Sequence, residues 1–175
     1  MRDIHKLVVI LLSTLISGLG MSSFLIAANW FIEHIDNTSF YVAAANALCY
    51  FTVLAALPHI GTICDKYSRK KILVSVYFIG VVIQLFMCVL ADKLSNIGLI
   101  MVLITASSVI TVIKASDQVC RTSYLQNVVD KKYYQLSNQW LEAVRQGITF
   151  IGGGATVLLM KSPSLLTVLY FNCKN

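Results

Sequence analysis

Six residues in one short stretch carry most of the chemistry that this sequence offers: Gly61, Asp65, Lys66, Arg69, Lys70 and Lys71. One carboxylate is followed at once by a dense run of cations. That pattern suits charge pairing rather than covalent catalysis. Gly61 lacks a Cβ, so another helix or the following backbone could approach it closely. Asp65 falls at the edge of an apolar segment, where an unpaired carboxylate is costly. It should seek a basic partner or the positive end of a helix. Arg69, Lys70 and Lys71 can meet anionic headgroups or carboxylates. In most membrane proteins such basic loops only set topology.

Other charged groups also occur at helical spacing. Glu142 and Arg145 are three apart and share a helix face, as a functional pair or as a self-neutralising anchor near the interface. Asp117 and Arg121 are four apart and can pair locally. Lys114 lies just beyond the fourth apolar segment, at a depth that makes it a candidate partner for Asp65. None of these groups falls in a G-x-S-x-G, H-E-x-x-H or Walker pattern, so no enzyme activity and no cofactor is expected. The cysteines, Cys49, Cys64, Cys88, Cys120 and Cys173, show no CxxC and no regular spacing. Neither a disulfide framework nor a metal site is expected from them, and Cys49 and Cys88 read as small hydrophobes within apolar runs.

These residues must be held by membrane helices. The chain is 57% hydrophobic and 13% charged, against about 25% charged in a soluble domain. Its mean hydropathy is +0.74. The net charge of +6 does not point to nucleic acid, because the cations lie between apolar spans rather than on one soluble face. Five segments reach or approach the roughly 20 apolar residues that cross a bilayer: Leu7 to Phe31, Phe40 to Ile63, Ile72 to Ala91, Ile97 to Ile113 and Trp140 to Met160. A sixth run, Ser164 to Cys173, would cover only about 15 Å and reads as incomplete. The first run is longer than a signal peptide's apolar core and is expected to stay as a helix, with a cleaved signal as the minor alternative.

The basic residues alternate with the spans. Arg2 and Lys6 precede the first. Lys66 to Lys71 separate the second and third, and Lys114, Arg121, Lys131 and Lys132 separate the fourth and fifth. The other loops hold Glu33, Asp36, Asp92 and Lys93. By the positive-inside rule the N-terminus and both basic loops are cytoplasmic, in a plasma or inner membrane. The long connection from Lys114 to Gln139 is expected to contain extensions of its flanking helices. Small residues (Ser13, Ser17, Gly18, Gly20 and Ser22 in the first span; Gly147 and Gly152 to Gly154 in the fifth) suit close helix packing. Asn29, Asn46 and Gln84 either line a cavity or bond to a neighbouring helix, with packing the commoner use.

Gly61-x-x-x-Asp65-Lys66-x-x-Arg69-Lys70-Lys71 resembles the loop signature of the major facilitator superfamily, G-x-x-x-D-R-x-G-R-R, and lies where that family places it, between helices two and three. Lys66 stands for the usual arginine and Ser68 for the second glycine. Lysine keeps the charge but loses the bidentate fork. Serine can still turn the chain and cap the next helix. Ala28-Asn29, Leu57-Pro58, the stretch from Arg121 to Val129, Leu136-Ser137-Asn138 and Gly152-Gly153-Gly154 resemble the macrolide-efflux and siderophore-exporter branch, without that branch's later prolines.

The resemblance implies an all-α integral membrane fold, a partial N-terminal bundle of about five helices plus an incomplete sixth. It implies export of a small molecule by alternating access, usually proton-coupled. It makes Gly61, Asp65, Arg69 and, less directly, Lys66 and Lys70 gating residues that touch no substrate. With no acid inside the first four spans after Glu33, the coupling residue has no candidate. The chain reads as the truncated N-terminal half of a transporter, with a separately encoded C-terminal half as a candidate partner beside the lipid bilayer. The alternative is a non-transporting membrane protein that acts as a partner, immunity or regulatory subunit. The topology is checked by cysteine labelling. Cys64 should react near the cytoplasmic face, and its labelling from outside by an impermeant reagent would overturn the orientation.

Overall fold

The computed structural model describes residues 2–36, 39–90, 95–128 and 131–161. They form five helices: α1 (Arg2–Asp36), α2 (Ser39–Lys66), α3 (Arg69–Leu90), α4 (Asn96–Val128) and α5 (Lys131–Lys161). Each expected span lies inside one of them, except that the third was expected to reach Ala91, which lies outside the described residues. Among the described residues α1 to α4 each contain a segment long and apolar enough to cross a membrane. The fifth expected span lies in α5, which is not among those four. The first part of α5 is polar, with Glu142, Arg145 and Gln146. The incomplete sixth run, Ser164 to Cys173, lies outside the described residues.

Polar segments join the helices rather than end them. The fourth span, expected to stop at Ile113, continues as α4 for four more turns to Val128. Polar side chains halted the hydropathy reading at Lys114. They do not halt the helix, because Asp117 and Arg121 neutralise each other one turn apart. Only residues 129–130 separate α4 from α5, so the long connection is almost all helix, as expected. The turn between α2 and α3 is just Tyr67 and Ser68. Tyr67 N bonds Ile63 O at 3.1 Å to close α2, and Ile72 N bonds Ser68 O at 3.1 Å to open α3. Ser95 caps α4, its Oγ accepting from Gly98 N at 3.4 Å. Pro58 lies within α2, where its missing N–H leaves the Leu54 carbonyl without its usual partner.

The apolar side chains show which ends meet. Ala28 and Ile32 of α1, Ala45 of α2, Met87 of α3 and Ile100, Leu103 and Ala106 of α4 form one cluster. At the opposite end Ile10, Leu125 and Leu141 pack together, and Ile60, Cys64 and Cys120 pack beside them. The start of α1, the end of α2, the start of α3, the end of α4 and the start of α5 therefore share one end of the bundle. That end carries Lys66, Arg69, Lys70 and Lys71, and is called the basic end below. Consecutive helices run in opposite directions. Large apolar side chains cover the outside, among them Val9, Ile16, Phe51, Leu54, Phe78, Phe86, Ile97 and Phe150. An apolar exterior over helices of this length is the build of a multi-pass membrane protein.

Two pairings dominate, α2 with α4 and α1 with α5. α1 also runs along α4, and α3 packs on α4. Contacts of α1 with α2 and of α4 with α5 are slight. Exchanging α1 with α4 and α2 with α5 preserves the pairings among those four helices, whereas α3 packs on α4 and has no matching pairing with α1. Since α1 and α4 run in opposite directions, the exchange reverses the direction of each helix.

Close packing of α1 on α5 depends on Gly18. A Cβ there would lie 2.8 Å from Ile148 Cδ1 and 3.3 Å from its Cγ2. Gly20, two residues on, would meet nothing within 4 Å. Gly18→Leu should therefore force α1 from α5 and lower thermal stability in micelles by about 1–3 kcal/mol. Gly20→Ala should leave stability near wild type, and Ile148→Ala should recover part of the Gly18→Leu loss. Equal stability of the two glycine variants would remove the close α1–α5 contact.

Candidate functional site

The most polar interior point of the bundle is Arg121. It is 4% exposed on α4, with Asp117 one turn earlier at 8%. Three helices converge on it near the basic end. From its own helix, Asp117 Oδ1 accepts from Arg121 Nε at 2.5 Å. From α1, Nη1 donates to Ile10 O at 3.1 Å, Ser13 Oγ at 2.6 Å and Thr14 Oγ1 at 2.9 Å. Nη2 donates to Ser17 Oγ at 3.3 Å. From α3, Tyr77 Oη accepts from Nη2 and donates to Asp117 Oδ1. Its ring also lies 5.6 Å from the guanidinium carbon.

The hydroxyl groups fit this role because of their helical spacing. Ser13 and Thr14 each donate to Ile10 O, at 2.9 and 2.8 Å, and Ser17 donates to Ser13 O at 2.7 Å. Each proton is spent on a carbonyl of the preceding turn, so each oxygen presents a lone pair to Arg121. Arginine brings five N–H donors and no acceptor, and burial leaves none of them to water. Asp117 supplies the balancing charge, and Tyr77 bridges the two.

A cleft of about 430 Å³ opens beside this cluster. Ser13, Ile16, Ser17, Gly20 and Met21 of α1 form one wall, and Tyr77, Gly80, Val81 and Gln84 of α3 form the other. Ile110, Ile113 and Arg121 of α4 form its floor. It exists because α1 and α3 both pack on α4 while their backbones stay apart and meet through side chains such as Tyr77 and Ser17. Its surface is mostly apolar with a polar corner at Ser17, Tyr77 and Arg121, the composition usual for small-molecule sites.

The turn singled out in the sequence stands apart from this cleft. Asp65, Lys66 and Lys70 are exposed, and among the described residues no ion pair joins Asp65 to a cation. Arg69 is the turn residue that reaches another helix, with Nη1 2.5 Å from Ser123 O of α4. Gly61 admits no close neighbour, since a Cβ there would meet nothing within 4 Å. Ile60 and Cys64, on either side of it, are the residues of this stretch that turn onto α4. Lys114 does not reach Asp65; its Nζ lies 3.3 Å from Ser22 Oγ of α1. Glu142 and Arg145 pair at 3.4 Å on the exposed side of α5. Arg145 also donates to Gln118 O of α4 at 3.2 Å. Asn29 and Asn46 bond each other across α1 and α2, at 3.4 and 3.5 Å.

Sequence reasoning gave Arg121 as a candidate charge partner but assigned it and Asp117 to a cytoplasmic connection. The structure places both in the interior of the bundle, on α4. The signals were present as the hydroxyl stripe Ser13, Thr14 and Ser17, a lone phenol at Tyr77, and a charge pair one turn apart. The cysteines need a second correction. Cys64 and Cys120 are bonded, with Cα atoms 6.0 Å apart, although they lie 56 positions apart in sequence, so Cys64, expected to react with a labelling reagent, offers no thiol in this state. Spacing along the chain could not show that α2 lies alongside α4. Among the described residues no cluster of His, Cys, Asp or Glu could hold a metal.

The chain matches no protein-family model, no curated protein and no solved structure.

Removing one partner of the buried pair leaves the other charge uncompensated, at a cost of about 3–5 kcal/mol. Arg121→Met should show that loss in thermal unfolding. Asp117→Asn combined with Arg121→Gln should recover much of it, because no buried charge remains. Tyr77→Phe should cost about 1.5–3 kcal/mol, the value of a hydrogen bond to a charged group. A single Arg121→Met variant as stable as wild type would mean that the guanidinium is not buried in the membrane-embedded protein.

Proposed function

We propose that this chain is one helical half of a secondary transporter of the major facilitator type, which exports a small molecule by alternating access coupled to protons. The observation that carries this reading is the pairing pattern. Inverted repeats of three helices, nested within each half, are the building plan of such transporters. The exchange of α1 with α4 and α2 with α5 has that form for four helices, with no counterpart of α3 among the described residues. The position of the Gly61 to Lys71 turn between α2 and α3 adds support. The basic end is then the cytoplasmic one, by the excess of Lys and Arg there, and the membrane is the plasma or inner membrane.

Asp117 takes the role of proton carrier in this scheme. As a carboxylate it holds Arg121 Nε and accepts from Tyr77. Once protonated it loses the ion pair, and the guanidinium keeps only neutral partners on α1 and α3. The balance of contacts among α1, α3 and α4 then changes with one proton, which is what coupling requires. Asp65, Lys66, Arg69 and Lys70 act in the gate at the cytoplasmic end. Arg69 already ties α3 to α4 through Ser123, while Asp65 and Lys66 remain exposed for a second half.

Cells expressing the chain, alone and beside a second helical half, are assayed for efflux of macrolides, other lipophilic drugs and siderophores. Export should exceed the empty-vector control for at least one compound and collapse when the proton gradient is dissipated. Asp65→Asn should lower export to near background while the protein still inserts. Asp117→Asn should abolish its dependence on the gradient. Export of no compound above control would leave the chain as a non-transporting membrane partner, and normal export by Asp65→Asn would remove the gate.

A further inference from the structure

We infer that Cys64 and Cys120 form a reversible thiol–disulfide site, which locks α2 to α4 beside the basic turn when a hydroperoxide oxidises it. The pair stands on geometry. The two residues are 3% and 0% exposed and sit in one cluster with Ile60. Their Cα separation of 6.0 Å lies within the usual range for a disulfide. Cys49, also buried, is instead in contact with Ser108 Oγ at 3.6 Å and stays free.

Position makes the bond a switch. It lies at the basic end, and the inference rests on the placement of that end in the cytoplasm. Cytosolic thiols are kept reduced, so a disulfide there forms transiently in response to oxidant. Cys64 directly precedes exposed Asp65, whereas Cys120 has no exposed surface. The Cys64 thiolate therefore attacks the peroxide. Its sulfur takes one oxygen, the O–O bond breaks, and an alcohol or water leaves. The Cys120 thiol then displaces water from the sulfenic acid to give the disulfide. Two electrons pass from the thiols to the peroxide. A dithiol or glutathione returns them by exchange.

The consequence falls on the turn. Cys64 lies in the last turn of α2, one residue before Asp65, three before Tyr67 and four before Ser68. Arg69, just after Ser68, is held to Ser123 on the same helix as Cys120. With the bond closed, the turn is fastened to α4 on both sides. With it open, the Arg69 contact and the apolar packing around Ile60 remain, and no covalent link does.

The test uses the full chain with Cys49, Cys88 and Cys173 changed to Ser. Purified protein is treated with hydrogen peroxide or dithiothreitol, denatured, and reacted with a polyethylene-glycol maleimide. No adduct is expected after peroxide and two after dithiothreitol, through repeated cycles. Trypsin cleavage of the folded protein at Lys66, Arg69, Lys70 and Lys71 should be several-fold slower in the oxidised form. Cys64→Ser should cleave at the faster rate under both treatments. In intact cells, quenching with N-ethylmaleimide should find thiols before peroxide and the disulfide after it. Two adducts after peroxide, a bond that resists dithiothreitol in the folded protein, a disulfide in unstressed cells, or equal trypsin rates would each overturn the switch. Neither readout uses transport, so failure of the transporter reading is separable from failure of this one.

Discussion

A guanidinium buried among membrane helices must have every donor satisfied by protein, and most of this bundle is arranged around that demand. Water cannot serve Arg121, and lipid offers no acceptor. Its partners come from three helices: a carboxylate on α4, a phenol on α3, and three hydroxyls and a carbonyl on α1. That convergence sets the register of α1 against α4 to within a hydrogen bond's tolerance. Helix packing among lipid has little hydrophobic driving force, so van der Waals fit and such polar links do the specifying. Gly18 against Ile148, the Asn29–Asn46 pair and the Cys64–Cys120 bond serve the remaining interfaces in the same manner.

Much of the fold was legible because the bilayer imposes a length and a polarity. Each of the five apolar runs became the body of a helix, and alternating basic loops grouped on one end as expected. The ends were less legible. Hydropathy stops at the first charge, whereas a helix stops where its backbone loses partners. At Lys114 those two criteria part, and α4 continues for four turns. The site was hidden by the same error. Asp117 and Arg121 look like loop residues until the helix carries them inward, and only then do Ser13, Thr14, Ser17 and Tyr77 acquire a common purpose.

The turn fared differently. Its sequence pattern suggested a tight glycine contact and a paired aspartate. The described residues show an open Gly61 and an exposed Asp65, while Arg69 hydrogen-bonds to α4 and Cys64 is bonded to Cys120 on it. Pairing between α2 and α4 was equally invisible to spacing, since 56 residues separate the two sulfurs. Proximity of that kind is a property of topology and not of local pattern.

The connection of only Tyr67 and Ser68 has a mechanical meaning. Two long rods joined by so short a hinge cannot be repositioned independently at the joint. A shift of about 1 Å where α2 meets α3 is transmitted along both rods, and over about 30 Å of rise it becomes a displacement at the far ends. The basic end thus works as a handle. Whatever grips it, whether a neighbouring helix, a headgroup or a sulfur bridge, steers the opposite face of the membrane without touching it.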